Sequence, residues 1–126
     1  MITKLGQIML YVNNQEESVK FWTEKLGFIV KSEVDNGQGM KWFEIAPTKD
    51  AETSIVLHNK ELVAKMSPGV SLETPSLMFF SENLDQLYKD FSEKQITVGE
   101  LVEIPEGKVF NFADNENNYF AIMEKK

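Results

Sequence analysis

A chain of 126 residues is long enough to bury a core without covalent staples, as one domain or as two small modules sharing a core. It has no cysteine, which excludes disulfides, thiolate metal sites and cysteine nucleophiles. A formal net charge of -7 opposes binding to a phosphate backbone, which needs clustered Lys and Arg, and no apolar stretch approaches the length of a bilayer span. Neither nucleic acid nor membrane is expected as a partner, and the start of the chain does not read as a secretory signal, so the expected location is cytoplasmic.

The segment Leu5 to Val12 alternates, with Ile8, Leu10 and Val12 on one face and Gln7, Met9 and Tyr11 on the other, the period of a half-buried strand. An amide, a thioether and a phenol on the second face suit a semi-polar pocket wall. Asn13 and Asn14 break the strand. Ser18, Val19, Phe21, Trp22 and Leu26 then fall at helical spacing, and Gly27 closes the helix. Ile29 to Val34 reads as a strand, residues 35–39 as a turn, and Met40 to Ile45 as a strand with Trp42 and Glu44 on the face opposite Phe43 and Ile45. Ser54 to His58 is a fourth strand, Val56 and His58 facing one way.

Residues 59–75 hold Pro68, Gly69 and Pro75 and read as a linker, with a short helical turn over Glu61 to Met66. The first pattern then recurs. Ser76 to Ser81 is a strand presenting Ser76, Met78 and Phe80 on one face. Leu84 to Lys94 is a helix with Asn83 as its N-cap. Ile96 to Ile104 is extended, Val109 to Ala113 is a strand, residues 114–118 form a solvated tight turn, and Tyr119 to Met123 is the last strand. Two copies of a strand, helix and three strands make an α+β fold of two βαβββ modules, residues 1–58 and 76–126, forming a curled mixed sheet within a single domain.

The run Gln7-Ile8-Met9-Leu10-Tyr11-Val12, then Ser18-Val19-Lys20-Phe21-Trp22-Thr23 and Leu26-Gly27-Phe28, closely resembles the first strand and helix of the glyoxalase, bleomycin-resistance and extradiol-dioxygenase superfamily, also called the vicinal oxygen chelate fold. Phe112-Ala113-Asp114-Asn115-Glu116-Asn117-Asn118 resembles its closing turn, with Asn115 in place of proline and Asn117 in place of glycine. In the metal-dependent members four strand positions carry ligands on the concave face of the sheet. The resemblance puts Gln7, Val56, Ser76 and Ala121 at those positions, and Val and Ala have no donor to give. No metal and no other cofactor is therefore expected.

The resemblance implies a cup, and alternation places Met9, Tyr11, Trp42, His58, Met78, Phe80, Tyr119 and Met123 in it beside the four ligand positions. The opposite faces of the same strands already supply enough apolar groups to pack two helices, so this surplus lines a ligand pocket, a subunit interface, or both. Gln7 is either a pocket hydrogen-bond donor or a strand residue satisfied by a neighbour. His58, the one histidine, and Glu44 are the candidates for an acid and base pair.

The leading reading is a metal-free small-molecule binder of the bleomycin-resistance kind that holds a hydrophobic or aromatic ligand and forms a homodimer. One alternative is an enzyme of the glyoxalase or dioxygenase type with a changed metal site or the His58 and Glu44 pair. Another is a dimerisation or interaction module. Protein purified without chelators is expected to retain no stoichiometric metal by elemental analysis; one tightly held ion per chain would contradict the ligand assignment.

Overall fold

The computed structural model describes residues 1–125, which form two compact units, Met1–Thr74 and a second that begins at Pro75. The first unit holds β1 (Gln7–Val12), α1 (Gln15–Lys20), β2 (Ile29–Asp35), β3 (Lys41–Ala46), β4 (Ser54–Asn59) and α2 (Lys60–Met66). Its four strands make one sheet in the order β1-β4-β3-β2, with β1 parallel to β4 and the other pairs antiparallel. The second unit holds β5 (Met78–Ser81), α3 (Leu84–Glu93), β6 (Val102–Ile104), β7 (Gly107–Ala113) and β8 (Tyr119–Glu124). Its sheet order, β5-β8-β7-β6, repeats that of the first, again with one parallel pair, β5 with β8. The expected α+β class and the expected strand, helix and three strands are both present in duplicate.

Each helix begins where a side chain satisfies an otherwise unpaired amide. Asn14 Oδ1 accepts from the Glu17 amide at 3.1 Å ahead of α1, and Asn83 Oδ1 accepts from the Gln86 amide at 3.2 Å ahead of α3. The α1 helix continues over Phe21–Lys25 as a π-helical turn. Gly27 stops it at φ +78°, a conformation in which a Cβ would be strained. The Phe28 amide then reaches back to the Trp22 carbonyl at 3.0 Å. That closure is wider than in an ordinary helix ending because the last turn is wound at the π pitch.

The helix covers one face of its sheet. Leu10, Val12, Ile45, Leu57 and Trp22 are fully buried, and Trp22 meets the Phe28 ring edge-on at 5.0 Å. The second unit packs around aromatic rings instead. Phe91 on α3 stands edge-on to Phe110 at 5.7 Å and to Phe112 at 5.5 Å, and Phe112 tilts against Phe120 at 5.8 Å.

The second strand of each unit carries one extra residue against its neighbour. In the first unit the ladder passes from Ser32↔Glu44 to Val30↔Ile45, leaving Lys31 unopposed. In the second unit Val98 bridges Phe112 while Val102 pairs with Val109, so four steps on one side face three on the other. Such bulges bend a strand and reset which side chains share a face. This interruption explains why the extended segment expected over Ile96 to Ile104 is regular strand only from Val102.

Other boundaries also move. Strand β1 starts at Gln7 rather than Leu5, which is 65% exposed. Strand β5 starts at Met78, and Ser76 lies outside it and exposed. Ladder bonding there begins with the Leu77 carbonyl accepting from the Ala121 amide, so no pairing fixes Ser76 on the strand face. The expected linker holds α2, capped by Asn59. The turn at 114–118 is not wholly solvated, since Asp114 is 5% exposed. Its carboxylate accepts from the Glu116 and Asn118 amides, both at 2.9 Å, and from the Asn118 side chain at 3.0 Å. Burial pushes its pKa above the usual carboxylate value while these bonds pull it back. Asp114→Ala strips three donors of their partner and is expected to lower stability by about 1–3 kcal/mol in chemical denaturation; an unchanged midpoint would contradict that role.

Candidate functional site

In the first unit, the sheet face away from α1 is ordered by register into rows. Tyr11 on β1, His58 on β4 and Trp42 on β3 stand side by side, with Val34 on β2 beyond them. The next row is Met9, Val56, Glu44 and Ser32. Gln7 pairs with Ser54 in the row after that. Alternation along each strand puts these rows on one face.

The first row is aromatic. The Tyr11 ring stacks against His58 at 6.0 Å and 25°, and Trp42 tilts against the same imidazole at 5.7 Å. His58 Nδ1 is buried without a hydrogen-bond partner. Burial holds the imidazole pKa below its ordinary value, so the ring is neutral at pH 7.

Two residues along β3 the chemistry changes. Glu44 Oε2 accepts from the Ser54 hydroxyl at 2.5 Å and from the Gln7 amide at 3.4 Å, and Oε1 accepts from the Ser32 hydroxyl at 3.1 Å. Ser54 does most to hold the carboxyl below the usual range; burial opposes it, and Gln7 and Ser32 add to the lowering. Gln7 is thus satisfied by a neighbour, and that neighbour is Glu44. The expected approach of Glu44 to His58 does not occur as a hydrogen bond, because Glu44 spends its oxygens on Ser54, Ser32 and Gln7 and lies opposite Val56.

Ser54 and Ser32 were not among the residues singled out from the sequence. Ser54 shares the parity of Val56 and His58, so alternation alone could have found it. Ser32 comes to face Glu44 through the β2 and β3 hairpin register, which runs unbroken from Asp35↔Lys41.

The second unit presents the corresponding face of its own sheet. Met78 lies beside Ala121, Phe80 beside Met123, and Tyr119 beside Ala113. Met78, Phe80 and Tyr119 are 46%, 63% and 58% exposed, and the Lys125 ammonium sits 5.7 Å over the Phe80 ring. Ser76 is not part of this row.

The metal positions implied by resemblance do not fit an ion. In the first unit they are Gln7, engaged with Glu44, and Val56, which is 2% exposed and has only methyl groups to offer. In the second they are an off-strand hydroxyl at Ser76 and the methyl of Ala121. Among the described residues no three His, Cys, Asp or Glu side chains are grouped to hold a metal. A separate cleft of about 200 Å³ in the first unit is lined by Gln15, Gly39, Asn59, Glu61, Leu62 and Lys65, none of them a residue singled out from the sequence.

The model of the glyoxalase, bleomycin resistance protein and dioxygenase superfamily matches residues 4–122. The chain belongs to this superfamily. It is 30% identical over 125 residues to the uncharacterized protein YetH of Bacillus subtilis (strain 168), covering 98% of this chain and all of that one. Among solved structures it superposes on TnmS3, an antibiotic binding protein from Streptomyces sp. CB03234, with a TM-score of 0.82, 22% identity and coverage of 99% and 98% of the two chains. A superfamily member from Sphaerobacter thermophilus DSM 20745 gives a TM-score of 0.79 at 21% identity, covering 98% of each chain. These likenesses place the fold and leave the ligand open. No helix among the described residues is long and apolar enough to cross a membrane.

The two shifted groups on the first face make successive steps of one acid profile, both losing stability as pH falls. His58 has a folded pKa below 6.5, so the unfolded chain binds its proton first and stability falls as pH drops from about 6.5. Glu44 has a folded pKa below 4.5, so its contribution is complete above about 4.5 and is lost as pH falls through the folded value. Denaturation midpoints are expected to decline between pH 7 and pH 5 in the wild type and to flatten over that range in His58→Gln; the same slope in both proteins would contradict the assignment.

Proposed function

We propose that this protein binds a hydrophobic or aromatic small molecule without a metal, using the open face of the first unit's sheet. The observation that carries the reading is the row Tyr11, His58 and Trp42, three rings side by side on a face that the covering helix leaves free. Flat rings offer large apolar area with little conformational entropy to lose. The backbone shared with TnmS3, named as an antibiotic binding protein, can serve such a purpose. The working location in this reading is the cytoplasm.

The exposed row on the second unit, Met78, Phe80 and Tyr119, is where a second copy of the chain docks in this proposal. Contiguous apolar surface of this kind is uncommon on a monomer, and the repeated topology of the two units suits pairing of two chains about a two-fold axis. Sedimentation is expected to show a homodimer that Phe80→Glu dissociates. A monomeric wild type would remove the docking proposal.

Ligand binding is tested by screening flat aromatic antibiotics and dyes with thermal shift and native mass spectrometry. At least one binder is expected, weakened about tenfold or more by Trp42→Ala. A screen without binders, or a binder indifferent to both Trp42→Ala and Tyr11→Ala, would contradict the reading.

A further inference from the structure

On the reading of this face as a ligand surface, we infer that the ligand carries a cationic nitrogen beside its apolar body, the nitrogen resting on Glu44 and the body on the rings of Tyr11, His58 and Trp42. Glu44 is held by three donors that are all neutral: Ser54 at 2.5 Å, Ser32 at 3.1 Å and Gln7 at 3.4 Å. Neutral donors keep a carboxylate charged without cancelling the charge. No ion pair to Glu44 exists among the described residues; the four that form join Lys41 to Glu16 and Glu33, Lys65 to Glu61, and Lys108 to Asp85. Lys31, the residue left over at the bulge, lowers the Glu44 pKa from a distance as the weakest of its influences.

An ionised carboxylate accepts at about four lone-pair positions, and the structure fills three of them. Oε1 takes only Ser32. The remaining acceptor sits on the face whose neighbouring row is aromatic, two residues away on β3, or about 7 Å at the rise of a strand. Ring faces attract cations as well as apolar bodies, and a neutral His58 in the middle of the row does not repel one. Carboxylate and ring row together select an amine attached to an aromatic or amphipathic skeleton. An anionic ligand would meet a charge it cannot neutralise, and a neutral one would leave the carboxylate half-desolvated.

The rest of the protein argues for a local test, because a net charge of -7 attracts any cation weakly. Three acridines of similar shape separate the effects: proflavine as the cation, acridone as the neutral form and acridine-9-carboxylate as the anion, each titrated by fluorescence at pH 7.5 against the full chain. The wild type is expected to bind proflavine about tenfold more tightly than acridone, with acridine-9-carboxylate weakest. Glu44→Gln, which preserves the shape, is expected to bring proflavine to within about twofold of acridone while acridone binding holds steady. If that variant does not fold, Glu44→Ala is measured in its place with the same expected loss. Glu93→Gln, removing an equal charge at the end of α3, is expected to keep the preference. Equal binding of the three probes by the wild type, or a preference that survives in Glu44→Gln, would overturn the inference and leave the hydrophobic-ligand reading standing. Failure of all three to bind would bring down both.

Discussion

The parallel pairing of the first strand with the last in each βαβββ unit is the constraint on which the rest depends. For β1 to lie beside β4 in the same direction, the chain must cross over the sheet, and the α1 helix makes that crossing on one face only. Leu10, Val12, Ile45, Leu57 and Trp22 fill the covered side completely. The other side carries the rows of Tyr11, His58 and Trp42 and of Met9, Val56 and Glu44. The same pairing of β5 with β8 repeats the outcome in the second unit with a different composition. The first unit's open face combines rings with a carboxylate, whereas the second unit's is apolar at Met78, Phe80 and Tyr119.

Much of this was legible in the sequence because it rests on short-range periodicity. Alternation over residues 7–12 and 54–58 placed Gln7, Met9, Tyr11, Val56 and His58 on one face, and the register agrees. Asn83 and Gly27 announced helix ends through side-chain chemistry and positive φ. The π-helical turn over Phe21–Lys25 was not legible, since a single stripe at three- and four-residue spacings fits either pitch. The bulge at Lys31 was equally hidden, because it arises from pairing with a strand elsewhere in the sequence. The buried state of Asp114 depends on the turn folding back over its own carboxylate, where composition alone suggested a solvated loop.

The candidate site shows the same division. Individual residues could be assigned to a face, yet their partners could not. Glu44 and His58 share that face and belong to different rows, and Glu44 bonds with Ser54 and Ser32.

The chain carries two tryptophans, one on each side of the first unit's sheet, and they report on the central claim together. Trp42 stands in the ring row, whereas Trp22 is fully buried under the helix. A two-dimensional proton and nitrogen NMR spectrum, recorded during titration with an aromatic ligand such as proflavine, resolves their indole signals separately. Binding on the open face moves the Trp42 signal with ligand concentration and leaves Trp22 in place. Movement of Trp22 alone, or saturation of the ligand with neither indole signal shifted, would contradict the account.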